Sequence, residues 1–207
     1  MVTCNIRHYA ASIEKLKRVT NPRPGEEIFG MTMITLKGKT ILVADTNVQD
    51  FPSPERLVKV SKSCVRVARL FGFDPKVAFL SHSTFGKPIS KNTKHVRDAI
   101  NLLRTEKVDF DFDGEMQPDV ALNPIYQEIY PFSKIVGNAN ILIMPALHSA
   151  AISTKLMKVF GGGKLIGPLL IGLGSPIEVA PLRATTSEIL NLASIAAYSS
   201  DVIDYSN

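Results

Sequence analysis

A chain of 207 residues, 45% of them hydrophobic, can bury roughly 70% of its unfolded surface in one domain without staples. Its two cysteines, Cys4 and Cys64, stand in no metal-ligand spacing, which argues against a disulfide framework or a zinc site and for a reduced compartment. The net charge of +5 suits a polyanionic small molecule; no arginine-rich run with interleaved aromatics supports nucleic acid, and no signal peptide or long apolar span supports a membrane, so a cytoplasmic protein is expected.

In chain order, residues 8–18 place Ala10, Ile13 and Leu16 among charges at helical spacing. No strand is predicted ahead of this helix, which suggests a fragment truncated at its N-terminal side. His8 reads as a surface or cap residue before a functional one. After the Asn21-Pro-Arg-Pro-Gly25 break, residues 30–36 and 40–44 predict a hairpin joined through Lys37-Gly38-Lys39. Ser53-Pro54-Glu55 is a helix start: Ser accepts at the N-cap, Pro fits the first helical position and Glu favours the positive end of the dipole. That helix reaches Phe71, with Leu57, Val60, Cys64 and Ala68 on one stripe and Lys59, Lys62, Arg66 and Arg69 off it. Cys64 therefore reads as core, and the basic residues as a solvated face.

Residues 76–82 form a nearly continuous apolar strand, as in a parallel sheet. The turn that follows, Ser81-His-Ser-Thr-Phe-Gly-Lys87, leads into a helix over 90–106. Free backbone N–H groups, the helix dipole and Lys87, Lys91 and Lys94 would all favour a phosphate there. The spacing is not that of a nucleoside-triphosphate loop. Residues 108–112 alternate as a strand, so the polar run Asp113-Gly-Glu-Met-Gln-Pro-Asp119 is expected in the crevice beyond it. Asp113, Glu115, Gln117 and Asp119 would face that crevice, with Gly114 permitting a turn. The bland alternative is an acidic loop capping the short helix after Pro118.

A second unit repeats the plan: a buried strand over 139–145, a helix from Leu147 to about Phe160, a glycine stop at 161–163, and a strand over 165–173 broken by Gly167-Pro168. His148, at a strand-to-helix junction, is a candidate base or ligand contact and equally a cap. Gly172-x-Gly174 lacks the third glycine and following helix of a dinucleotide fingerprint. Thr185 and Glu188 form a capping box that opens the last helix.

Six blocks then stand in a fixed order: Val77-Ala-Phe-Leu-Ser-His-Ser; Asp113-Gly-Glu-Met-Gln with Asp119-Val-Ala-Leu; Tyr130-Pro-Phe-Ser; Gly137-Asn-Ala-Asn; Met144-Pro with His148-Ser-Ala; and Ile166-Gly-Pro-Leu-Leu-Ile-Gly-Leu. Together they resemble the phosphate acetyltransferase/butyryltransferase family, and within it the phosphotransacetylase-like C-terminal region of bacterial NADP-dependent malic enzymes. The resemblance covers about 3–197.

It implies a three-layer αβα sandwich of the isocitrate/isopropylmalate dehydrogenase-like type, with a cleft for the coenzyme A moiety and residues 185–207 returning to a missing first half. Ser83, Thr84 and Gly86 match the family's Ser-Thr-x-Gly loop beside that cleft, and Asp113 to Gln117 match its Asp-Gly-Glu-x-Gln in full. Lys87 replaces a small residue. The Ser-Arg pair and Asp that serve acyl transfer in the family correspond to Pro181, Leu182 and Glu188; Pro and Leu can neither stabilise a developing oxyanion nor accept a proton. The resemblance thus implies a regulatory domain that binds acetyl-CoA as effector and forms a homodimer or higher homo-oligomer. NADP and a divalent metal would belong to upstream malic enzyme catalytic domains. An active phosphate acetyltransferase and a purely structural dimerisation module are the alternatives.

Overall fold

The computed structural model describes residues 1–4, 9–46 and 48–202; His8 lies outside the described residues. A strand absent from the sequence reading, β1 (Val2–Cys4), precedes α1 (Tyr9–Val19). The predicted hairpin follows as β2 (Phe29–Leu36) and β3 (Lys39–Ala44). Its two linking residues, Lys37 and Gly38, both take positive φ (50° and 76°), the condition of a tight turn that matches strand twist.

Helix α2 (Pro54–Leu70) starts as its cap predicts, with Ser53 Oγ accepting from Arg56 N, and buries Leu57, Val60, Cys64 and Ala68. Its basic residues are not merely solvated: Lys59 meets Glu27, Lys62 meets Glu106, Arg66 meets Glu26 and Arg69 meets Asp109. The chain continues through β4 (Lys76–Leu80), a 3-10 turn at Lys91–Thr93, α3 (Lys94–Thr105), β5 (Asp111–Met116), α4 (Pro118–Leu122) and a second 3-10 stretch at Pro124–Ile129. It ends in β6 (Ile141–Ile143), α5 (Leu147–Phe160), β7 (Lys164–Ile171), β8 (Glu178–Ala180) and α6 (Thr186–Val202). The capping box holds, with Glu188 N donating to Thr185 Oγ1 and Thr185 N donating to Glu188 Oε2.

Six strands form a mixed sheet in the order β5-β4-β6-β3-β2-β7. Strands β5, β4, β6 and β3 are mutually parallel, and β2 runs against both its neighbours. Strands β1 and β8 pair separately, in parallel, with Thr3 opposite Val179. Side-chain alternation buries both faces of the large sheet. Val77 and Phe79 of β4 pack with α2 and α3, while Ala78 and Leu80 pack with Val120 and Ala121 of α4 and Ala150 of α5. Each fully buried aliphatic or aromatic side chain contributes about 1.5–3 kcal/mol, so this two-sided arrangement anchors β4 firmly.

Two expectations change. Strand β7 is not broken at Gly167-Pro168; it runs through them on the sheet edge, with a register shift opposite Met31 and Met33. Proline is tolerated there because an edge strand has N–H positions with no ladder partner to lose. More consequentially, the run from Asp113 to Met116 is not a loop beyond a strand but β5 itself, buried along most of its length. Gly114 makes no turn. A Cβ on it would sit 2.6 Å from Phe79 O, so glycine is there to let β5 approach β4.

Candidate functional site

Adjacent parallel strands β4 and β6 send their following helices to opposite faces of the sheet: α3 packs with α2 on one side and α5 packs on the other. Connections that diverge in this way leave a crevice at the carboxyl ends of the strands, and a cleft of about 540 Å³ lies there. Its walls come from Leu80 to His82 after β4, Met144 to Ala146 after β6, Phe51, the start of α3 and the first turn of α5.

The 81–87 turn is shaped by its own backbone. Thr84 and Lys87 exchange N–H···O bonds of 2.9 and 3.1 Å around Phe85 and Gly86, both at positive φ. The turn is fastened to the end of β5. Ser83 Oγ donates to Glu115 Oε1 at 2.5 Å, Phe85 N to Glu115 O at 2.7 Å, Gln117 N to Thr84 Oγ1 at 3.2 Å, and Gln117 Nε2 to His82 O at 2.8 Å. Arg97 of α3 reaches the same Glu115 oxygen at 3.0 Å. The two sequence motifs are therefore one unit, in which Glu115 to Gln117 cradle the turn that borders the cleft.

The other expected site residues distribute differently. Asp113 is buried and does not line the cleft. Its carboxylate accepts from Arg104 at 3.1 Å, from Gly114 N at 3.0 Å and from Lys134 N at 2.8 Å, tying α3 and the loop before β6 to β5. Asp119 is exposed in the first turn of α4, where Oδ1 accepts from Val120 N. Lys87, Lys91 and Lys94 are exposed and do not line the cleft, and Lys94 pairs with Asp98. His148 does line it, 5.5 Å from the Phe51 ring.

The sequence reading missed Phe51, Thr93, His95 and Ser149. One signal was available: the chain has four histidines, and three of them, His82, His95 and His148, line this single cleft. Among the described residues no group of His, Cys, Asp or Glu is arranged to hold a metal ion, and no helix is long and apolar enough to cross a membrane. A second cleft of about 380 Å³ lies between α2, α6 and β7. Gly172 beside it is required by packing, since a Cβ would meet Glu27 O at 2.1 Å.

The class is a layered α/β domain with a mixed sheet and a cleft where the strand connections diverge, and the comparisons give its family. Residues 1–197 match the phosphate acetyl/butaryl transferase model, and the chain belongs to that family. It is similar to the NADP-dependent malic enzymes of Rhizobium meliloti, 44% identical over 198 residues, and of Escherichia coli, 33% identical over 199 residues. The matches take in 96% and 95% of this chain but 26% of each enzyme, so the chain spans about a quarter of the length of these curated relatives. In structure it is similar to a phosphotransacetylase from Streptococcus pyogenes, with a TM-score of 0.89 and 28% identity over 96% of this chain and 62% of that one.

Proposed function

We propose that this chain is the acetyl-CoA-sensing, oligomer-forming domain of a cytoplasmic NADP-dependent malic enzyme. Other domains of that enzyme would decarboxylate malate oxidatively to pyruvate with NADP and a divalent metal. Acetyl-CoA lies downstream of pyruvate, so its binding here would act as feedback, with about 1–3 kcal/mol of coupling between sites. Within this reading the fold is the later part of an isocitrate-dehydrogenase-like αβα domain.

One contrast carries the proposal. The cradled turn beside the cleft is complete, while the positions matched to the reacting Ser, Arg and Asp of transacetylases hold Pro181, Leu182 and Glu188. Leu182 is 67% exposed and offers no charge or proton. Glu188 is occupied elsewhere: the Thr185 N–H and the Lys158 ammonium hold its carboxyl below the usual range, in its cap. Losing a single oxyanion-stabilising group costs about 10²–10³ in rate, so binding would outlive turnover. Oligomer formation is supported by α5, which exposes Ile152, Leu156, Val159 and Phe160 as one apolar stripe.

Calorimetry with acetyl-CoA, paired with an assay for acetyl transfer between acetyl phosphate and coenzyme A, tests the reading. Binding without turnover is expected. Turnover would establish an active phosphate acetyltransferase, the reading favoured by the Streptococcus pyogenes match. No heat at millimolar ligand would leave a structural dimerisation module.

A further inference from the structure

Glu178, the first residue of β8, is 4% exposed and forms no ion pair among the described residues. Its carboxyl lines the cleft between α2, α6 and β7. Oε2 accepts from Leu170 N at 3.0 Å, whereas Oε1 has no partner among the described residues. An ionised carboxylate there would be a desolvated charge with one donor, so burial pushes its pKa up to about 8, against the pull of the Leu170 N–H and the Met1 ammonium. Near neutral pH the group is a carboxylic acid. Because Oε2 already accepts, the proton sits on Oε1 and is offered to the cleft.

The wall around this donor is apolar, made by Val67, Phe71, Leu169, Ile171 and Ile195. Other hydroxyls there are engaged or wet: Tyr198 donates to Leu70 O at 3.0 Å and Ser63 to Glu26 at 2.7 Å, while Ser175 is exposed and Ser199 half-buried. The charged side chains sharing the cleft with Glu178 are Arg23 and Glu26 from the segment before β2 and Arg66 and Arg69 from α2; β7 and α6 add none. Arg66 pairs with Glu26 and Arg69 with Asp109, and both guanidinium side chains stay exposed at the mouth. Three arginines against Glu26 leave that mouth positive.

We infer that this cleft is a second small-molecule site, separate from the β4–β6 cleft, for an aliphatic acid bearing a carbonyl group: the carbonyl oxygen accepts from Glu178 inside, the chain lies on the apolar wall, and the carboxylate meets the arginines at the mouth. A buried donor without an acceptor costs free energy, and a carbonyl oxygen removes that cost without bringing a charge inside. The volume of about 380 Å³ lies within the ordinary range for small-molecule sites. A cationic ligand is opposed by the arginines, and a plain aliphatic acid leaves the Glu178 O–H unpaired.

NMR titration of the isotope-labelled chain with 7-oxooctanoate, octanoate and octylamine tests each part. Near neutral pH, 7-oxooctanoate is expected to shift the Leu169, Ile171 and Ile195 resonances and to bind about fivefold to tenfold more tightly than octanoate, roughly the worth of one hydrogen bond. Well above pH 8, where Glu178 is ionised, that preference should vanish in the parent chain. Glu178→Gln keeps an N–H donor at every pH, so in this variant the preference should persist into the alkaline range. Glu178→Leu should abolish it at every pH while octanoate still binds, which shows the cleft intact. Equal affinity for the two acids near neutral pH, a preference that survives Glu178→Leu, or shifts confined to the β4–β6 cleft overturns the inference. Octylamine binding more tightly than either acid, and increasingly so as pH rises, would make this a cation site and overturns it too. So does silence from all three probes at millimolar concentration; the acetyl-CoA reading concerns the other cleft and stands or falls separately.

Discussion

The Ser83 hydroxyl donates to the Glu115 carboxylate over 2.5 Å, joining two fully buried side chains that lie 32 positions apart. Glu115 also receives Arg97, so one carboxylate holds the 81–87 turn, β5 and α3 together.

Glu115→Ala removes the acceptor and leaves Ser83 and Arg97 without it. The Arg97 side chain is 30% exposed, so water offsets part of its loss. A destabilisation of about 2–4 kcal/mol is expected, with a Tm lower by about 5–12 °C. Urea unfolding of the purified chain measures it; a change under about 0.5 kcal/mol would mean that the hub is dispensable.

Gly114 and Gly86 both have positive φ, 146° and 84°, but they differ in surroundings. A Cβ at Gly86 meets nothing within 4 Å, whereas at Gly114 it would lie 2.6 Å from Phe79 O. Gly86→Ala should therefore cost about 1–2 kcal/mol, the backbone penalty alone. Gly114→Ala should cost clearly more, because β5 must move off β4. Matched denaturation curves decide the order, and equal costs would refute the close-approach account.

Burial of Glu178 pushes its carboxyl up to about 8, although the Leu170 N–H that it accepts at 3.0 Å pulls the other way. The folded state thus binds more protons than the unfolded state between about pH 4.5 and about 8, and stability falls as pH rises through that window. Glu178→Gln should be more stable than the parent at pH 8 and indistinguishable from it near pH 4.5. Parallel pH–Tm profiles for the two proteins would contradict this.

Helix α5 leaves Leu156 and Val159, 51% and 75% exposed, on its apolar stripe. If a second copy covers that stripe, Leu156→Arg should halve the mass seen by light scattering without changing far-UV circular dichroism. An unchanged mass places any self-association elsewhere.

Where structure depends on neighbours in sequence, it was legible. Lys37-Gly38 specified the β2–β3 turn, Ser53-Pro54-Glu55 started α2, and Thr185 with Glu188 started α6, because each satisfies backbone groups within three or four residues. Strands β1 and β8 escaped notice because three residues carry little periodicity and their partners lie about 176 positions apart. The polar Asp113-Gly-Glu115 run read as a loop for a similar reason: nothing local pairs its carboxylates.

The sequence by itself determined the α/β alternation, the family resemblance and the two motifs at residues 83–86 and 113–117. Only the tertiary structure decided that these motifs form a cradle and its turn, with the cleft between β4 and β6 rather than beyond β5. The reason is energetic: a buried carboxylate is tolerable only with donors in place, and those of Asp113 and Glu115 come largely from Ser83, Arg97, Arg104 and Lys134, which meet only when the sheet assembles.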